Sequence, residues 1–162
     1  MSPLLERLRK HKDDRGMMAN LRCILVENKR HRAWPALNRL GISIDDEISA
    51  FVAGLFAMHP EETNKGNLGN TCKSIEQQRR DRRGDDDKMN PTERRFQHLI
   101  AADRKELLGR VARMILLAKS QSVPVNYEKL ESDLRYWGDR TKTDWASSFW
   151  AQSVESAAEE AP

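Results

Sequence analysis

Between Asn90 and Trp150 nearly every break in the apolar pattern coincides with a residue that starts or stops a helix. Asn90, Pro91 and Glu93 stand in the order of an N-cap, a first-turn proline and a capping-box carboxylate. Asp103 followed by Glu106 repeats the device. Val123-Pro124 halts this second helix, because the residue before proline is pushed out of the α region. Asn126 is placed to cap a third helix and Gly138 to end it in the left-handed conformation, with Asp139 opening a fourth. Punctuation this dense leaves room only for short packed helices.

The apolar spacing follows the same boundaries. Phe96, Leu99 and Ile100 share one face; Leu107, Val111, Met114, Ile115 and Ala118 share the next. Tyr127, Leu130, Leu134 and Trp137 form a third stripe, and Trp145 with Phe149 a fourth, Trp150 lying at its edge. Each keeps the three-or-four step of a helix with one buried side. The aromatics sit on these stripes, which reads them as core. Arginines and lysines fall off them, among them Arg94, Arg95, Arg104 and Lys105.

The rest of the chain adds helices and no strands. With 8 Gly, 6 Pro and no sustained alternation, the expected fold is all-α. It is either one bundle of about seven to nine helices or two small helical subdomains sharing a core. Residues 1–60 hold an N-terminal helical half: a short helix at Leu4, Leu5 and Leu8, then one capped by Asp13 or Asp14 carrying Met17, Leu21, Ile24 and Leu25. After a basic break at NKRHR, Trp34-Pro35 introduces a helix that Gly41 ends. Ser43 or Asp45 caps the most apolar helix, Ile48 to Phe56, whose Gly54 implies close packing. In residues 61–89 the apolar pattern almost vanishes, so this segment reads as a flexible basic loop or linker, with helix conceivable from Thr71 to about Arg82. Residues 90–151 are the C-terminal four-helix half, and 152–162 an acidic tail.

Catalytic constellations are missing. His11, His31, His59 and His98 have no metal-site spacing, and Asp85-Asp86-Asp87 reads as a solvated acidic turn. Cys23 and Cys72 form neither a disulfide framework nor a metal pattern, which points to a reduced, cytoplasmic compartment. No phosphate-cradling Gly-Lys-Ser/Thr loop occurs, and no cofactor is expected. The longest apolar run falls far short of the ~20 residues of a membrane span, and the N-terminus lacks a secretory hydrophobic region, so no membrane partner is expected.

Charge is more informative in its distribution than in its sum of +3. Residues 1–40 hold ten Lys/Arg against four Asp/Glu, and residues 65–84 six against two. Residues 41–64 hold five acids and no base, and residues 121–162 four bases against eight acids. Blocks of one sign permit a basic face on a nearly neutral molecule, as a polyanion partner would require. Arg110 and Arg113, three apart, lie opposite Leu107, Val111 and Met114. With no aromatics interleaved among the bases, sequence-independent contact with phosphates is expected rather than stacking.

The ordered series ERRF, ADR, VPV, YWG and FW after residue 90 resembles the C-terminal half of the CasB family, the small subunit of the type I-E CRISPR surveillance complex, Cascade. The resemblance covers roughly the last two-thirds of the chain, strongly after residue 90 and weakly before it. RGMMANLRC resembles the family's N-terminal signature and marks Arg15 and Arg22 as candidate contacts; a Gly- and Lys-bearing connection marks Lys65 and Lys73. The family's basic face would fall on these four together with Arg110, Arg113, Arg135 and Arg140. Some members resemble LIRADR where this chain has Ala101, so a contact is lost there or supplied by Arg104 or His98.

The resemblance implies a non-catalytic subunit that contacts guide RNA and target DNA backbones and stabilises the opened R-loop in antiviral defence. Its implied partners are the guide RNA, the target or displaced DNA strand, other Cascade subunits and a second copy of itself. The alternative is a small helical regulator recognising duplex DNA, which would need an exposed recognition helix bearing base-reading Asn or Gln.

Overall fold

The computed structural model describes residues 2–83 and 91–151, the side chains of 81–83 excepted. The Asn90 cap, the Asp85-Asp86-Asp87 turn and the acidic tail lie outside the described residues. Nine α-helices are present among them: α1 (Pro3–Lys10), α2 (Arg15–Arg22), α3 (Trp34–Arg39), α4 (Glu47–Met58), α5 (Leu68–Arg83), α6 (Pro91–Ile100), α7 (Arg104–Ser120), α8 (Tyr127–Arg135) and α9 (Asp139–Trp150). Two 3₁₀ turns, Cys23–Leu25 and Glu27–Ala33, connect α2 to α3. The fold is all-α. The single β-bridge among the described residues, Glu62 with Val125, ties the segment after α4 to the one before α8.

Local chemistry explains most helix starts. Asp14 accepts from the Met17 amide at 3.1 Å, Asp103 from Glu106 at 3.0 Å, and Asn126 from Lys129 at 3.2 Å. At α4 the cap is Asp46, which accepts from the Ser49 amide at 3.1 Å, rather than Ser43 or Asp45. Neighbouring carboxylates are locally equivalent, and the choice is made by Arg135 of α8, which grips Asp46 through two bonds of 3.2 and 3.0 Å. Gly138 does not adopt the left-handed conformation: its φ of 176° is extended, and α8 has already ended at Arg135. The left-handed residue of this region is Ser122, φ 55°, just after α7 ends at Ser120 and before Pro124 is reached.

Helix α4 runs through the middle of the core, with every residue from Ser49 to Ala57 buried. Gly54 explains the close approach of α2: a methyl there would lie 3.3 Å from the Leu21 carbonyl and 3.2 Å from the Ile24 Cβ. At its C-terminal end the His59 Nε2–H donates to the Val123 carbonyl at 2.7 Å, and the Tyr127 hydroxyl donates to the His59 carbonyl at 2.5 Å. The Tyr127 bond satisfies a carbonyl at the end of α4, and the His59 bond ties that end to the segment between α7 and α8.

Within residues 61–89, read from sequence as a loop or linker with helix from Thr71 to about Arg82 left open, Leu68–Arg83 forms the sixteen-residue helix α5. Its apolar stripe is only Leu68, Cys72 and Ile75, all buried against the rest of the core. Buried Glu76 takes the place of a fourth apolar residue. It pairs with Arg79 at 2.7 Å and Arg80 at 3.1 Å and bonds Thr92 of α6. A stripe of three residues amid charge is too weak to stand out in sequence, and packing against α9 completes it.

Two carboxylates link stability to acid. Burial alone would raise Asp46, but hydrogen bonds from Arg135 and Ser49 outweigh it and hold the carboxyl below its usual range. Burial likewise acts upward on Glu76, and bonds from Arg79, Thr92 and Arg80 prevail. A carboxylate depressed in the folded state contributes stability above its unfolded value of about 4 and loses it as pH falls further. Asp46→Asn, which keeps a capping oxygen, should therefore show a shallower fall in urea midpoint below about pH 4 than the parent. Parallel curves would show that the Asp46–Arg135 pair carries no pH-linked stability.

Candidate nucleic-acid interface

Helix α7 buries Leu107, Val111, Met114, Ile115 and Ala118 and so turns Arg104, Lys105 and Arg113 outward. These outward residues form one wall of a groove of about 990 Å³. The opposite wall comes from the two 3₁₀ turns, Trp34, Ile44 and the start of α4. Ile24, Leu25, Phe51 and Leu108 make its lining apolar, and Arg30, His98, Arg104, Lys105, Arg110 and Arg113 supply cationic and imidazole groups. Glu27, Glu47 and Glu106 also reach it, Glu106 being paired with Arg110 at 2.7 Å. A shallower hollow on α6, lined by Arg94, Arg95, Gln97, His98 and Ala101, shares His98 with the groove. The two recesses adjoin at His98, and the exposed cations of α6 and α7 that line them make up a strip of surface.

The cations of this strip differ in what they are free to do. Arg94, Arg95, Lys105 and Arg113 are exposed, and their side chains have no partner among the described residues. Arg110 is half-buried; besides Glu106 it bonds the His98 carbonyl, so it closes the end of α6. Arg104 donates weakly to the carbonyls of Trp137 and Arg135, at 3.4 and 3.5 Å. Of the two residues proposed to replace the arginine missing at Ala101, His98 lies beside Ala101 in the hollow, whereas Arg104 is drawn toward α8.

Of the eight residues singled out from sequence, only Arg110 and Arg113 line the groove. Arg15, Arg22 and Arg140 are exposed elsewhere and unpaired among the described residues. Lys65 borders a smaller cavity of about 280 Å³ with Thr71, Ser74 and Pro124. Lys73 donates to the Ala151 carbonyl at 2.8 Å, closing the end of α9. Arg135 is an internal strut: Asp46, Ser49 at 2.6 Å and Glu131 at 3.4 Å surround its guanidinium. Arg30 and Trp34, in contrast, line the groove without having been chosen. The available signal was the run Lys29, Arg30, His31, Arg32, with a tryptophan two residues beyond it.

The exposed cations of the strip suit binding of phosphate. Among the described residues no group of three or more His, Cys, Asp or Glu could hold a metal. Burial pushes the Cys72 thiol up, so it stays protonated. No helix of the described residues is long and apolar enough to cross a membrane.

The profile of one protein family, CRISPR-associated protein Cse2, matches residues 17–150. No curated protein matches the sequence. The fold is similar to that of CasB from Thermus thermophilus (TM-score 0.72, 19% identity, 94% of this chain and 100% of that one). It is equally similar to a second structure from Thermus thermophilus, a CRISPR-associated protein of the Cse2 family (TM-score 0.73, 20% identity, 94% and 100%). CasB from M. ruber aligns over 99% of both chains at 22% identity, with a TM-score of 0.71. With nine described helices, no described strand and a profile match over most of its length, the chain belongs to the Cse2, or CasB, family of type I-E Cascade.

Proposed function

We propose that this Cascade subunit is non-catalytic and works through the strip formed by α6, α7 and the groove, contacting guide RNA and target DNA backbones and stabilising the opened R-loop. Two copies lying side by side in the assembly would extend the strip along the strands. Exchange between a DNA duplex and an RNA–DNA hybrid is nearly balanced, so a few well-placed cations are enough to tip it. Sequence choice belongs to the guide. The supporting observation is the convergence of Arg94, Arg95, Lys105 and Arg113, exposed and unpaired among the described residues, on neighbouring surfaces.

Arg94→Ala, Arg95→Ala and Arg113→Ala together test this reading. Each lost phosphate contact should lower the salt slope of nucleic-acid binding by roughly one unit, equally on unrelated sequences. Arg110 is left intact because its bond to the His98 carbonyl gives it a structural task. In reconstituted Cascade the triple variant should still select the guided target, while the unwound DNA recloses sooner. An unchanged salt slope together with unchanged R-loop lifetime would place these arginines on an ordinary solvated face.

A further inference from the structure

We infer that Trp34 is a stacking platform for an unpaired base of a single nucleic-acid strand lying in the groove between α7 and the 3₁₀ turns. The inference rests on the phosphate-binding reading above and adds to it a base contact and hence a preference for single strands. The other tryptophans are otherwise occupied. Trp137 and Trp145 are buried in the core, and the exposed Trp150 donates to Glu93 and packs edge-on to Phe96. Trp34 is 46% exposed, its indole N–H has no partner among the described residues, and it borders the groove.

The site is held in place before any ligand arrives. Trp34 opens α3, and the following Pro35 fixes the backbone of the first turn. His31 packs against the indole, ring centres 6.3 Å apart and planes at 77°, so the imidazole does not lie flat over either indole face. On α7, Lys105 and Arg113 are free among the described residues while Glu106 is paired with Arg110; on the side that carries Trp34, Glu27 and Glu47 stand beside Arg30, whose guanidinium donates to the Ile24 carbonyl at 3.2 Å. Carboxylates repel a phosphate but not an uncharged base, whose amino groups they can accept from. A strand would therefore run its phosphates along α7 and turn a base toward Trp34, over Leu25 and Leu108. In a duplex the bases are already stacked and unavailable, so this contact requires an open strand.

The test compares the full-length chain with Trp34→Leu and Trp34→Phe. The probes are short oligothymidylate, oligouridylate, an abasic strand of equal length and a duplex. At fixed salt the parent should bind the base-bearing strands roughly 5- to 150-fold more tightly than the abasic strand, the yield of one stacked base. Trp34→Leu should erase that difference while leaving the salt slope unchanged, and Trp34→Phe should keep most of it. The uridylate and thymidylate arms show whether RNA or DNA is the better occupant. Equal binding of abasic and base-bearing strands by the parent, or a difference that survives Trp34→Leu, would overturn the inference. Either result would leave the phosphate reading intact as long as the triple arginine variant lowers the slope. A parent that binds none of the probes overturns both.

Discussion

Trp145→Ala is expected to lower the unfolding free energy by about 3–5 kcal/mol. The side chain is fully buried in the core and its ring centre lies 4.8 Å from that of Trp137. Truncation loses this packing and leaves a cavity that fixed helices cannot close. It also removes the indole N–H that donates to the buried Asp133 carboxylate at 2.8 Å. Among the described residues Asp133 would keep only Lys129, at 3.0 Å, and an under-satisfied buried acceptor costs about 1–3 kcal/mol in its own right. Trp145→Phe separates the two contributions, since it retains much of the ring and none of the donor. Urea titration followed by far-ultraviolet circular dichroism reads both variants. A loss below about 1 kcal/mol for Trp145→Ala would mean that Trp145 is not packed against Trp137 in the core as described.

Gly69→Ala should be nearly as damaging, with a loss near the upper end of the ~1–3 kcal/mol typical of overpacking. A methyl at Gly69 would sit 2.1 Å from the Trp145 carbonyl oxygen and 2.9 Å from its carbon. Both are backbone atoms of α9, so no side chain can rotate away; the helices must separate instead. The separation would strain the Lys73–Ala151 bond and the pair of bonds from Asn67 to Asp144 and Ser148. Helix propensity works the other way, favouring alanine by about 1 kcal/mol, and is expected to lose. Gly109→Ala is the internal control, because a methyl in that part of α7 meets nothing within 4 Å. It should be neutral or stabilising by up to about 1 kcal/mol. Similar midpoints for the two variants would refute the close approach of α5 and α9.

The consequences for function run through the same seam. Helix α9 carries Trp150 and Phe149, which pack on Phe96 of α6. Helix α6 presents Arg94, Arg95 and His98 to the strip. Under the proposed function, a wedge between α5 and α9 should therefore weaken nucleic-acid binding without touching any residue of the strip.

What sequence alone determined was whatever depends on neighbours within about a turn of helix. Asp14, Asp103 and Asn126 cap because an acceptor three residues before an amide suffices. Leu107, Val111, Met114, Ile115 and Ala118 are buried because their spacing admits one buried side. The ordered motifs after residue 90 carried the family for the same reason: they are strings of local, readable signals. Tertiary structure alone decided which cations remain free. Arg135 and Arg113 look alike in sequence, yet Arg135 finds Asp46 from 89 residues away, and Lys73 finds the Ala151 carbonyl from 78. It also decided that Leu68, Cys72 and Ile75 suffice for a helix, since their burial comes from other elements of the core. The groove itself joins residues 24–51 to residues 98–113, and a space between two distant segments has no periodicity by which a sequence could announce it. Hydrogen bonds and ion pairs act over a few ångströms, and only the packed chain sets which groups come that close.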